Sequence, residues 1–314
     1  MESLKSELSL VLGETVGRLE TISEQPPTRL YALYDRQDKP MPVVAKYFRH
    51  QGRAALEAKK LALLGHEGLI AVPAVYGLVL SRQPPAHEML LMARLNGVSA
   101  EAPTRDAARW QQLCEEVVEG LLAWHRISGH GLVGTVDSTQ QNSWPAWFQQ
   151  RVEVLWSTLS YLQPPAFTHT DRQVLFRSRE QLAHLFRDFD DPCVMLHGNL
   201  RLTSIVKNAR SDQLLAMTQP GAILWGPREY ELMQLGESPA EQALMARYLQ
   251  CAPVSEGFLW RRWLISCGIA STDWCSMANL TGRASITPMR SYCPGSAEGA
   301  SPPFSHCHAC PSVS

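Results

Sequence analysis

The apolar pattern of this chain changes once, sharply, at Asn96-Gly97, and that break constrains the fold more than any single motif. Before it, short apolar runs alternate with turn residues. "TRLYALY" (28–34) and "PVVAKYF" (42–48) flank "DRQDKP", the pattern of an antiparallel hairpin. "AVPAVYGLVL" and "HEMLLMARL" supply two more strands around the proline-rich "SRQPPA". A short helix is expected at the start, where Leu4, Leu8, Val11 and Leu12 recur at helical spacing before Gly13. A second is expected from about Arg53 to Leu64, with Leu56, Lys60, Leu63 and Leu64 on its packed face. After the break, residues 108–127, 144–162 and 171–189 carry long helical periodicity. Short runs return in "CVMLHGNL", "TSIVKN" and "LLAMTQPGAILWG", and "SPAEQALMARYLQ" and "GFLWRRWLI" close with helix. The expected fold class is therefore α+β and bilobal, with a small antiparallel-sheet lobe over 1–95 and a mostly helical lobe over 96–265.

Composition narrows the partners. With 29 basic and 30 acidic residues the net charge is -1, so broad electrostatic binding to nucleic acid or to an anionic membrane surface is not expected. No apolar run reaches the length of a membrane span, and "MESLKSELSL" has no signal-peptide pattern, which makes the cytoplasm the expected location. Cys114, Cys193 and Cys251 read as scattered reduced thiols, whereas Cys267, Cys275, Cys293, Cys307 and Cys310 crowd the end of the chain.

From Ser266 the composition breaks towards Ser, Pro, Gly, Ala and Cys, and periodicity is lost. The run "HCHAC" offers His306, Cys307, His308 and Cys310 as metal ligands, but four ligands within five residues do not wrap one tetrahedral ion, so an incidental cluster is expected. The genetic code suggests an origin for this segment. When each codon's third base is joined to the next codon's first two, the displaced frame gives an apolar residue and then Trp or Arg. Leu and Val follow, forced by Asp273-Trp274 and Trp274-Cys275. Apolar positions then fall at i, i+4, i+7 and i+8, extending the helix of "FLWRRWLI". Residues 266–314 are accordingly expected to be a frameshifted, disordered tail, and fold reasoning stops near Ile265.

Three segments carry candidate chemistry. Lys46 lies on a strand after a hairpin, and such a lysine reaches phosphates if a carboxylate on the next helix holds it; Glu57 is that carboxylate. The second segment is "LHGNLRLTSIVKN" (196–208), with His197, Gly198, Asn199 and Ser204. The third is Thr218-Gln219-Pro220-Gly221, leading into "ILWGPREYEL". Other polar or aromatic clusters have plainer explanations. Asp188, Asp190 and Asp191 are expected in a solvated loop, Trp124 and His125 in packing, and Trp144, Trp147 and Trp156 in a core stripe.

Taken in order, "VVAKYF", "LEAKKLALL", "LLMARLNG", "LLAWHRI", "LHGNLRLTSIV" and "PGAILWGPREYEL" resemble the aminoglycoside phosphotransferase and choline-kinase-like group over roughly residues 10–265. The resemblance implies a bilobal protein-kinase-like fold with ATP and Mg²⁺ as candidate cofactors between the lobes. It places Lys46 against phosphate with Glu57 as its ion-pair partner, and Met92, Arg94 and Leu95 in the interlobe hinge where adenine docks. It makes His197 a structural histidine that holds the loop by hydrogen bonds, and Glu231 a brace for the same loop. Asn199 occupies the position of the catalytic aspartate. Ser204 and Gln219 occupy those of the metal-binding asparagine and aspartate.

Those last three residues depart from the pattern in one direction. An amide has almost no basicity near neutral pH, so Asn199 cannot serve as a general base. Mg²⁺ is a hard cation held by carboxylates and phosphates, and Ser204 and Gln219 offer neutral oxygens only. The first interstrand loop, expected at "ISEQPPTR" (22–29), has no glycine for close wrapping of phosphates. The sequence thus favours a degenerate pseudo-phosphotransferase that binds a nucleotide or small metabolite, with ATP and Mg²⁺ binding weak or absent. An atypical small-molecule kinase with other metal ligands, and a non-catalytic structural or interaction protein, are the two alternatives.

Overall fold

The computed structural model describes residues 2–25, 28–81, 86–160, 169–236, 238–259 and 261–262. The centre of the proline-rich loop, the tail expected over 266–314 and "HCHAC" lie outside the described residues.

The first lobe runs α1 (Glu2–Leu12), β1 (Arg18–Gln25), β2 (Thr28–Tyr34), β3 (Pro40–Phe48), α2 (Arg53–Glu67), β4 (Val75–Ser81) and β5 (His87–Ala93). The strands form a five-stranded sheet in the order β1-β2-β3-β5-β4, every pairing antiparallel. Alternation along the central strands separates two cores. Ala45, Val79, Met89 and Leu91 face α1 through Leu8, whereas Val44, Phe48, Leu90 and Met92 face α2 through Ala54 and Leu61. Val11, expected on the α1 stripe, is half exposed instead, one position off the face that Leu4, Leu8 and Leu12 present. β1 was not expected: residues 22–25 extend a strand rather than a loop, because polar side chains facing a cleft leave no apolar alternation to detect.

The N-terminus of α2 is fixed by a residue far away in sequence. Gly52 takes φ +80 and offers no capping side chain. Glu88 on β5 supplies the missing acceptors, receiving the Gly52 N–H at 2.6 Å and the Ala54 N–H at 3.0 Å. A carboxylate there answers two orphan amides and the positive end of the helix dipole. It also sets the rotation of α2 that turns Glu57 towards β3.

The second lobe contains β6 (Val98–Ser99), α3 (Ala107–His125), β7 (Leu132–Thr135), β8 (Ser138–Gln141), α4 (Trp144–Ser160), α5 (His169–Leu185), β9 (Val194–Met195), a 3-10 turn (Leu202–Ser204), β10 (Ile205–Lys207), β11 (Leu214–Met217), β12 (Ile223–Gly226), α6 (Arg228–Leu232) and α7 (Pro239–Cys251). Two small sheets, β11-β10-β6 and β8-β7-β12-β9, carry the loops that matter here. The main core gathers Val117, Leu121 and Trp124 of α3, Met195, Ile205, Met217 and Leu224 of the strands, and Leu244 and Tyr248 of α7. Leu64 of α2 is part of this cluster, so the first lobe's helix is rooted in the second lobe's core. Trp124 is fully buried and its indole N–H donates to Leu64 O at 3.0 Å. Trp144 and Trp147 belong to a second cluster with Phe148 and Phe186, as expected of a core stripe, whereas Trp156 is half-buried outside it against Phe176. Asp188 and Asp190 are exposed, but Asp191 is not in a solvated loop; it is nearly buried against Arg228 at 3.2 Å. No helix among the described residues is long and apolar enough to cross a membrane.

Candidate functional site

A cavity of about 580 Å³ lies between the sheet and the second lobe. Its walls come from β1, β2 and β3 above, residues 92–95 and 97–99 at the side, and Thr203, Val206, Thr218 and Gln219 below. That volume is in the usual range for a small-molecule cleft. β3 sits between β2 and β5, so Lys46 is no edge residue. Its ammonium is 2.7 Å from each oxygen of Glu57, with both side chains largely buried and both lining the cavity. The pair expected from sequence is therefore formed. Met92, Arg94 and Leu95 line the same cavity.

The loop after β9 is built by a set of buried contacts. Leu196 N–H donates to Leu224 O at 2.8 Å, and Gly221 N–H donates to His197 O at 3.0 Å, tying this loop to the one that carries Gln219. Gly198 takes φ +81, where a side chain's Cβ would stand 2.7 Å from Ile223 O. Its N–H donates to both carboxylate oxygens of Glu231 at 3.0 Å, so Glu231 braces the turn. Burial works against the Glu231 carboxylate, but His125, His197 and the Gly198 N–H outweigh it and hold the group below the ordinary carboxylate range. His197 is fully buried, and burial pushes its ring down to about 4, so it is neutral at pH 7. The imidazole stacks on Trp124, with centroids 6.0 Å apart, and backbone groups of Thr218 and Asn199 face its nitrogens.

The three substituted positions are brought together but point different ways. Asn199 is half-buried and its amide donates to Gln219 O at 2.8 Å, bridging the two loops. Ser204 is completely buried, and its hydroxyl lies 2.8 Å from both Asn199 O and Arg201 O while accepting the Arg201 N–H at 3.2 Å. It closes the turn and has no oxygen left for the cleft. Gln219 lines the cavity with a left-handed φ of +55. Magnesium does not fit this donor set: one oxygen is internal, the others are neutral amides, and no group of three His, Cys, Asp or Glu side chains suited to a metal occurs among the described residues.

Sequence reasoning placed Lys60 on the packed face of α2 without assigning it a role. Its side chain is fully buried, and the ammonium donates to Gly221 O at 2.5 Å and to Ile223 O. It thus ties α2, one turn beyond Glu57, to the loop after Gln219. Burial lowers its pKa to about 7 against the opposing pull of Glu231. The available signal was a lysine inside an apolar helical stripe, "LEAKKLALL". Thr203, Tyr34 and Glu20, which line the cleft, gave no such signal.

No protein-family model matches the chain. "Uncharacterized protein YcbJ" of Escherichia coli K12 is 48% identical over 264 residues, 84% of this chain and 89% of that protein. A Haemophilus somnus 129PT protein described as a fructosamine-3-kinase superposes with TM-score 0.69 at 19% identity, covering 92% of this chain and 94% of that one. The aminoglycoside phosphotransferase APH(4)-Ia, in a ternary complex with ADP and hygromycin B, superposes with TM-score 0.63 at 13% identity, covering 90% and 100%. These likenesses establish the bilobal α+β kinase-like fold.

Proposed function

The chain belongs to the family of the YcbJ proteins, and we propose that it is a pseudo-phosphotransferase, which keeps the interlobe cleft and binds a nucleotide or small metabolite there without transferring phosphate. One observation carries this proposal. The side chains at the three reactive positions are neutral and are spent within the protein, Asn199 on Gln219 O and Ser204 on its own turn, or carry an amide at Gln219. Phosphoryl transfer depends on metal ions that neutralise developing charge, and on a positioned base. Neither has an anchor here. Binding is a separate matter: Lys46 is held by Glu57, and the cleft has the volume for a nucleotide. Solved neighbours hold ADP or AMP-PNP.

The test is thermal unfolding with ATP, in Mg²⁺ and in EDTA. A ligand at a hundred times its Kd adds about 2.7 kcal/mol to stability. Stabilisation by ATP is expected to be small and equal in the two conditions, with no turnover. The intact Lys46–Glu57 pair is the observation that favours an atypical kinase instead. Large Mg²⁺-dependent stabilisation, or ATP turnover lost in Gln219→Ala, would establish that second function and refute the first.

A further inference from the structure

The hinge end of the cleft holds a cation that makes no salt bridge among the described residues, although the Glu20 carboxylate attracts it from nearby. Arg94 follows β5, and its N–H donates to Pro42 O at 2.8 Å, which fixes its backbone beside the start of β3. Its guanidinium lies 5.3 Å from the centre of the Tyr34 ring, and Nη2 is 3.5 Å from the Tyr34 hydroxyl, the limit of a hydrogen bond. Nη1 is buried with no hydrogen-bond partner, and Arg94 enters no salt bridge among the described residues. A nearby carboxylate is already engaged: Glu20 is 3.1 Å from Arg18, whose guanidinium covers Tyr34 at 3.7 Å and also reaches Asp38 at 2.6 Å. Nη1 is therefore an unused donor at the cleft wall, and a planar guanidinium matches phosphate or carboxylate oxygens two at a time.

We propose that Arg94 is a specificity-determining residue that receives an oxyanion, phosphate or carboxylate, carried by the ligand at the hinge end of the cleft. This rests on the proposal that the cleft binds a nucleotide or metabolite. Arg94 is level with Pro42, and Lys46 is four residues further along β3, so the two cations sit in rows about 13 Å apart at ~3.3 Å per residue. The ligand class that satisfies both is an elongated molecule with an anionic group at each end, such as a nucleotide bearing a second phosphate on its ribose. The walls between the two cations, including Val44, Met92 and Val206, are apolar enough to take a planar ring.

Calorimetric titration in EDTA would compare adenosine 5′-phosphate with adenosine 2′,5′- and 3′,5′-bisphosphate, on the full chain and on Arg94→Gln and Arg94→Lys. At least one bisphosphate is expected to bind ten times more tightly than the monophosphate. That preference should shrink to within twofold in Arg94→Gln and survive only in part in Arg94→Lys, which keeps the charge but loses the fork. Lys46→Met should weaken all three ligands alike. Equal affinities on the unmodified chain, or a preference that persists in Arg94→Gln, overturn the role of Arg94 while leaving nucleotide binding intact. If no nucleotide binds but inorganic phosphate stabilises the chain and not Arg94→Gln, the oxyanion site stands and nucleotide binding falls. If phosphate too has no effect, both fall.

Discussion

Lys60→Met isolates the most unusual charge in the molecule. Methionine keeps the unbranched stem inside the apolar face of α2 and removes only the ammonium that bridges to Gly221 O and Ile223 O. Burial lowers the Lys60 pKa from 10.5 to about 7. In the unfolded chain the same group would hold its proton up to its ordinary value. Between these two pKa values the unfolded state binds more protons than the folded state, so stability must rise with pH across that window. Below about pH 7 the folded protein carries the full cost of a buried ammonium; above it the amine is neutral and that cost is progressively relieved. Integrating the proton difference from pH 7 to pH 9.5 gives a gain of roughly 3 kcal/mol for the native chain. Lys60→Met has no such group, so its stability deficit relative to the native chain should widen by that amount over the same interval. Urea denaturation of both proteins at half-unit pH steps measures the difference directly, and other titrating groups cancel between the two. A deficit that stays flat with pH would refute the assignment. Lys60 would then be a lysine kept charged by Glu231, its tether to the loop independent of its proton.

Further outcomes can be checked with the same denaturation curves or with ligand titration. Arg261→Met strands the Glu229 carboxylate, which is 1% exposed and paired at 2.9 Å, and should cost about 3–5 kcal/mol. Gly198→Ala forces an L-residue to φ +81 with its Cβ against Ile223 O and near the Lys60 ammonium; about 2–4 kcal/mol is expected, from left-handed strain and overpacking together. The double variant Asn199→Asp/Gln219→Asp places one carboxylate at the cleft lining, at 219, and a second beside it in place of the amide bonded to Gln219 O, and aspartate tolerates the left-handed backbone at 219 better than glutamine does. It should bind ATP about tenfold, or 1.4 kcal/mol, more tightly with Mg²⁺ than with EDTA, and equal binding would refute the assignment of these positions. Replacing residues 266–314 by the displaced reading frame should raise stability through the extended helix, and an intact frame in independently sequenced coding DNA would refute the frameshift.

The elements that could be read from sequence are those whose residues face an apolar core. β3, β5, α2 and α3 bury Val44, Met89, Leu61 and Leu121, and their periodicity follows directly. β1 went unread because its positions at the cleft, Glu20, Thr21, Ile22 and Ser23, carry one apolar residue among polar ones and so show no apolar alternation. The β7–β8 hairpin failed for the opposite reason: every residue of β8 is exposed, so nothing in it alternates. In the site, Lys46 and Glu57 were legible because charge and spacing together define their pairing. Lys60 and Asp191 were not, since whether a charged side chain is buried depends on what the rest of the chain places over it. The same holds for His197, whose stacking on Trp124 is a contact between residues 73 positions apart.

The way the two loops are held explains how the fold is closed with neutral side chains at 199, 204 and 219. In a metal-dependent site, clustered carboxylates repel one another until a cation arrives, so the loop geometry is completed by ligand. Here the closing contacts are internal. Asn199 donates to Gln219 O, Ser204 donates within its turn, Glu231 accepts from Gly198, and Lys60 joins α2 to Gly221 and Ile223. Each is a bond between protein groups with no vacancy for a counter-ion. The neutral amide at 199 is therefore a structural member of the loop pair. Glu57 stays on Lys46 because Lys60, one turn later on the same helix, anchors α2 to the second lobe. The cleft is thus preorganised by buried polar contacts, and a ligand entering it would bear no cost of ordering the loops. The proposed binding role requires such preorganisation, because affinity is then limited by complementarity at Lys46 and Arg94 rather than by the cost of ordering loops.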